Sequence, residues 1–156
     1  MLEKIKNYAS YSDKDIVTIE GFVNDWYGQK TLGTYTDTTE DTVCGCLRSA
    51  INYVYSQNAN VTMFVIFDHY GRNYNGANES STAVRNGLTQ YAFYEEMAKV
   101  CESLGVKIIK LYAMSEMSEN TPQYYLDDIH PNALGAKQTA NNIWAVMQAH
   151  LPNQKA

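Results

Sequence analysis

Val61-Thr62-Met63-Phe64-Val65-Ile66-Phe67 is an apolar run broken only by Thr62, with Asn58-Ala59-Asn60 before it and Asp68 after it. A run this short with no polar alternation reads as a strand buried on both faces, the kind found in parallel sheets covered by helices. Upstream, Asp15-Ile16-Val17-Thr18-Ile19 is a second such run, closing at Gly21, and Val106 to Tyr112 is a third. Between them lie helical patterns. Asp41 to Ser56 carries Val43, Leu47, Ala50, Ile51 and Val54 on one face, and Leu88 to Leu104 carries Tyr91, Tyr94, Ala98 and Cys101. Pro131 to His150 carries Leu134, Ala140, Ile143 and Met147, and residues 1–9 read as a short helix. The segments 26–39 and 68–86, rich in Gly, Asn, Thr and Asp, read as loops. Strands alternating with helices imply right-handed crossovers and a parallel sheet between helical layers, an α/β/α sandwich. In such sheets the working loops leave the carboxyl ends of the strands, here near Phe22, Asp68 and Ala113.

The bulk composition narrows the function. The net charge is −5 and the 12 basic residues are scattered, so no field draws nucleic acid to the chain. No apolar run reaches the length of a membrane span, and Met1-Leu2-Glu3-Lys4 has no signal-peptide pattern. Cys44, Cys46 and Cys101 are odd in number and lack a histidine at ligand spacing, so they read as buried free thiols, not a zinc site. Thirteen tyrosines leave two readings open: amphipathic packing at helix edges, or a surface for sugars or partners.

Two segments carry chemistry. Gly21-Phe22-Val23-Asn24-Asp25 follows the first strand, where an asparagine can aim its amide at a carbonyl oxygen that becomes negative in acyl transfer. Asn-Asp is equally at home in a plain turn. Asp127-Asp128-Ile129-His130-Pro131-Asn132 precedes the last helix. A carboxylate three residues before a histidine can hold the ring at Nδ1 and leave Nε2 as a base, with Pro131 fixing the start of the helix. The same spacing also suits a polar cap with an exposed histidine.

Together and in this order, the two segments resemble the SGNH/GDSL hydrolase family. Asn24-Asp25 is similar to its Gly-x-Asn-Asp block, and Asp127-x-x-His130, with Pro131-Asn132 and Gly135 following, to its closing block. The resemblance covers nearly the whole chain. It implies a three-layer α/β/α sandwich with a flavodoxin-like parallel sheet, truncated to about three of the family's five strands, so that residues 1–156 form a single partial domain. It implies Asn24 as oxyanion donor, His130 as general base, Asp127 as its orienting partner and Asp25 as a structural tie for the loop. Ester substrates are implied, lipid or acylated carbohydrate, with no cofactor and no metal.

The chain also departs from the pattern. Phe22 stands where the family block has glycine, and no Gly-Asp-Ser occurs anywhere in the sequence. Without that serine the resemblance implies a polypeptide inactive by itself. The alternative is a non-catalytic flavodoxin-like module binding a glycan through Tyr70, Tyr74, Tyr124 and Tyr125. The resemblance places the strand at residues 15–19 beside a strand the chain lacks, and a bare edge of that kind implies a homodimer.

Overall fold

The seven-residue run around Phe64 becomes the centre of the sheet. In the computed structural model, which describes residues 2–8, 10–72 and 81–151, strand β2 (Thr62–Phe67) is flanked by β1 (Ile16–Gly21) and β5 (Lys107–Lys110). Both neighbours run parallel to it, with Ile19 beside Val65 and Val65 beside Ile108. Met63, Val65 and Phe67 enter the larger core, while Phe64 and Ile66 enter a smaller one on the opposite face with Ile109 and Leu111. Each of these side chains contributes roughly 1.5–3 kcal/mol through burial.

Two helices cover the larger core. Helix α3 (Val43–Gln57) starts at Thr42, whose hydroxyl accepts the Gly45 amide at 3.1 Å, and buries the stripe from Val43 to Val54 anticipated from its spacing. Helix α4 (Gln90–Ser103), capped by Thr89, buries Phe93, Tyr94, Met97, Ala98 and Cys101. Tyr91 faces solvent instead, because Phe93 and Met97 take the core positions. The opposite face receives helix α6 (Ala133–His150), which packs Ile143, Val146 and Met147 on the smaller core. The result is an α/β/α layering around a parallel three-stranded sheet.

Several elements differ from the reading of the sequence. Strand β1 is not buried on both faces: Ile16, Thr18 and Glu20 are exposed while Ile19 is buried. It is an edge strand, and α6 reaches only as far as β2 and β5. The third strand ends at Lys110, and Leu111–Met114 coil into helix α5 with Leu111 and Tyr112 buried. An apolar run of that length carries no period to separate helix from strand. Helix α6 begins at Ala133, and its Leu134 and Ala140 lie exposed. Pro131 precedes it in a bridge to Tyr125. Helix α1 (Leu2–Lys6) packs against α3. In the segment read as the loop 26–39, a short helix α2 (Val23–Tyr27) overlaps the start. In the segment read as the loop 68–86, residues 73–80 lie outside those described. Its end forms a hairpin, β3 (Val84–Arg85) and β4 (Leu88–Thr89), across Asn86 and Gly87 with φ 48° and 78°. Asn-Gly is the pair that such a two-residue turn favours.

Candidate active site

The turn from β1 into α2 is sharp. Gly21 has φ 137° and Phe22 φ 79°, so a phenylalanine occupies the left-handed region. Its ring is buried 5.7 Å from that of Phe67, and this burial holds the strained backbone in place. Trp26 is buried and donates Nε1–H to the Leu88 carbonyl at 2.9 Å, which ties α2 to the hairpin. Arg85 stacks over the Tyr27 ring at 3.9 Å. Asn24, in the first turn of α2, is thereby held beyond the carboxyl end of β1. Asp25 accepts from the Lys30 amide at 2.9 Å through its main-chain carbonyl, a bond that any residue could make. Its carboxylate has no hydrogen bond among the described residues.

The second segment is a tight loop before α6. Asp127 Oδ2 accepts from His130 Nδ1 at 2.8 Å, and Oδ1 accepts the amides of Ile129 and His130 at 2.7 Å each. Those two amides, followed by the imidazole, lower the Asp127 pKa to about 2. A carboxylate acceptor puts the His130 proton on Nδ1 and leaves Nε2 with its lone pair. The N-cap side chain of Asn132 accepts the Leu134 and Gly135 amides and donates to the carbonyls of Gln123 and Tyr125. At Gly135 a Cβ would lie 2.2 Å from the Tyr124 carbonyl oxygen, so only glycine lets α6 sit this close to the loop.

A third group of residues comes from the end of β2. The loop after Phe67 is joined to the histidine loop by the Arg72 amide on the Asp128 carbonyl at 2.7 Å and by the Tyr125 hydroxyl on the Tyr70 carbonyl. His69 Nδ1 donates to the Tyr70 carbonyl at 2.9 Å, which again leaves Nε2 unprotonated, and burial lowers its pKa. Asp68 is pushed up to about 7, first by burial and then by the Glu20 carboxylate on the neighbouring strand. Gln90, only 1% exposed, donates Nε2–H to the His69 carbonyl and to the Tyr94 hydroxyl at 3.2 and 3.1 Å.

These three segments wall one cleft of about 420 Å³, lined by Asn24, Tyr27, Asp68, His69, Gln90 and His130 with Val23, Gly71, Ile129 and Pro131. The structure thus brings Asn24 and His130 to the same cleft, with Asp127 behind the imidazole. Asp68, His69 and Gln90 were not singled out from the sequence. The position of Asp68-His69 beyond the middle strand was their only signal, and Gln90 gave none. Of the tyrosines considered as a glycan surface, Tyr125 is buried, Tyr70 is partly buried against Tyr112, Tyr124 donates to Glu116 at 2.7 Å, and Tyr74 lies outside the described residues.

No protein-family model and no curated protein matches the chain. Solved structures do. A Lactobacillus plantarum protein superposes with a TM-score of 0.86 at 22% identity, over 97% of this chain and 74% of its own. A possible lipase from Chitinophaga pinensis gives 0.74 at 15% over 95% and 77%, and a candidate GDSL-like lipase from Parabacteroides merdae 0.68 at 16% over 94% and 66%. The fold is that of the SGNH/GDSL hydrolases.

Within this SGNH/GDSL fold, no serine, threonine or cysteine is among the described residues lining the cleft. Cys44 and Cys101 are buried and their thiols are pushed up to about 12, chiefly by burial. Among the described residues no three His, Cys, Asp or Glu side chains cluster as a metal site, and no helix is long and apolar enough to cross a membrane.

Proposed function

We propose that this chain carries the oxyanion-donor and acid–base side of an ester-hydrolase cleft within a single SGNH-type domain. Asn24 stabilises the developing oxyanion, His130 Nε2 is the general base, and Asp127 fixes its tautomer. The observation that supports this is the convergence of Asn24 and an Asp127-anchored His130 on one cleft beyond the carboxyl ends of parallel strands. An oxyanion donor of this kind contributes about 3 kcal/mol to the transition state. No Gly-Asp-Ser occurs in the sequence and no serine is among the described residues lining this cleft, so on this reading the polypeptide has no covalent route by itself. The free edge of β1 accepts another strand, and in the isolated chain that strand is the β1 of a second copy.

Methylphosphonate monomethyl ester, tetrahedral and anionic like the acyl-transfer intermediate, tests the reading by NMR titration. The expected result is a saturable shift of the Asn24 side-chain amide and the His130 ring, lost in both Asn24→Ala and His130→Ala. Silence at both groups would sink the assignment. Short acyl esters are expected to show no turnover above buffer, and turnover abolished by His130→Ala would reveal a nucleophile within the chain.

A further inference from the structure

We propose that Asn86 is a site of spontaneous covalent modification, converting to isoaspartate through a succinimide, and that this change loosens the support of helix α2. The sequence has two Asn-Gly pairs, Asn75-Gly76 and Asn86-Gly87, and the second is the tip of the β3–β4 hairpin. Asparagine is thermolabile because the amide nitrogen of the next residue can attack its side-chain carbon. A side chain on that next residue obstructs the approach, and glycine has none. Both Asn86 and Gly87 are exposed. A Cβ placed on Gly87 would meet nothing within 4 Å, so a ring has room to close there. Among the described residues neither the Gly87 amide nor the Asn86 side chain makes a hydrogen bond that closure would have to break.

The step needs only water. The Gly87 nitrogen gives its proton to base and bonds to Asn86 Cγ, and Nδ2 leaves as ammonia, taking up a proton in turn. Water then opens the succinimide at one of its two carbonyl carbons. Attack at Cγ gives ordinary aspartate. Attack at the main-chain carbonyl carbon breaks the original peptide bond and leaves the chain running through Cγ, with an extra backbone atom.

The hairpin has no slack for that atom. Its ladder is Arg85 with Leu88 and Val84 with Thr89, and Asn86 at φ 48° and Gly87 at φ 78° make the tight turn between them. The same short strands hold α2. The Leu88 carbonyl accepts Trp26 Nε1–H at 2.9 Å, and the Arg85 guanidinium lies 3.9 Å from the Tyr27 ring and 5.3 Å from that of Trp26. Trp26 and Tyr27 share the five-residue helix α2 with Asn24. Lengthening the turn shifts Arg85 against Leu88, and the displacement reaches Asn24 through those contacts. The inference stands apart from the ester-hydrolase reading, because it concerns where Asn24 sits and not what Asn24 does.

The test is to age the folded chain at pH 8, beside the same chain unfolded in urea, and to map Asn86 by peptide mass spectrometry while recording NMR spectra. The expected result is conversion at Asn86 in the folded chain. A second set of signals for Trp26 Nε1–H and the Asn24 side-chain amide should grow with the isoaspartate fraction. Asn86→Gly removes the reacting amide and keeps a pair that this turn accepts, and is expected to show one set of signals throughout. Asn86→Asp carries the new carboxylate on an ordinary backbone, and fresh protein is expected to keep both signals at the parent positions. No conversion at Asn86 in the folded chain while the unfolded chain converts would overturn the proposal, as would conversion that leaves both signals in place. Signals displaced equally in fresh Asn86→Asp would assign the effect to charge and refute the role of the lengthened turn.

Discussion

Asp127 grips His130 twice, at the ring through Nδ1 and at the backbone through its amide, with one carboxylate oxygen for each. The side chains are 53% and 71% exposed, so this geometry does not depend on burial. It depends on the carboxylate, and Asp127→Ala is therefore expected to release the ring to the Nε2–H tautomer that free imidazole favours. Long-range proton–nitrogen correlations of His130 at pH 8 report this directly, and an unchanged pattern would mean that something else orients the ring. The Asp127 pKa is lowered to about 2. A depressed carboxylate contributes above its unfolded value near 3.9 and is lost as pH falls through the folded value. The Cγ resonance should stay ionised to about pH 2, with the loop loosening only below about pH 4.

Phe22 provides a test of strain. Its φ of 79° costs an L-residue about 1–2 kcal/mol, which glycine does not pay. Phe22→Ala loses the buried ring and keeps the strain, whereas Phe22→Gly loses the same ring and relieves it. The glycine variant should therefore be the more stable by about 1 kcal/mol in urea unfolding, the reverse of the usual order. Alanine matching or exceeding glycine would show that the turn is unstrained.

The layers were legible in the sequence because β2 is apolar without alternation and α3 keeps its apolar stripe at helical spacing. The histidine loop was legible because Asp127, His130 and the Asn132 cap lie within six residues and act locally. What stayed hidden depends on tertiary context. The polar residues Thr18 and Glu20 announce an exposed face, yet the β-branched run around them reads as a buried strand. The Asn86-Gly87 signal was present and lay inside a segment that looked like uniform loop. Gln90 joins the cleft only because α4 starts beside the end of β2, a relation that no local pattern encodes.

Asp68 links the cleft to stability. Its pKa is raised to about 7, above the unfolded value near 3.9, so the unfolded chain ionises first. The folded state is then favoured fully below about pH 4 and loses that contribution as pH rises through about 7. Glu20 on β1 is the titratable neighbour that influences it, and Asp68 in turn raises the pKa of Tyr94 on α4, which burial raises first. Asp68→Asn should melt higher than the parent at pH 8, with the advantage gone at pH 4, and Glu20→Gln should reduce the slope. Parallel melting curves for Asp68→Asn and parent across that range would refute the assignment.

The remaining prediction concerns the edge of β1. Among the described residues its outer side is unpaired, and a groove of about 570 Å³ lined by Ile5, Tyr8, Tyr11, Val17 and Phe22 runs beside it. An edge strand of six residues with an exposed Ile16 invites pairing with another chain. A two-fold axis at Thr18, perpendicular to the sheet, keeps every side chain on its own face. It sets Ile16 opposite Glu20 of the partner subunit and keeps the two Glu20 carboxylates apart, with the two threonines meeting across the axis, a pair that stabilises sheets. Two three-stranded sheets then join as one. Light scattering at micromolar concentration should give twice the 17.6 kDa chain mass. Thr18→Lys places two ammonium groups face to face at the axis and should return the protein to a monomer with its fold intact. A 17.6 kDa species for the unmodified chain, or a dimer that survives Thr18→Lys, would rule out this edge as the interface.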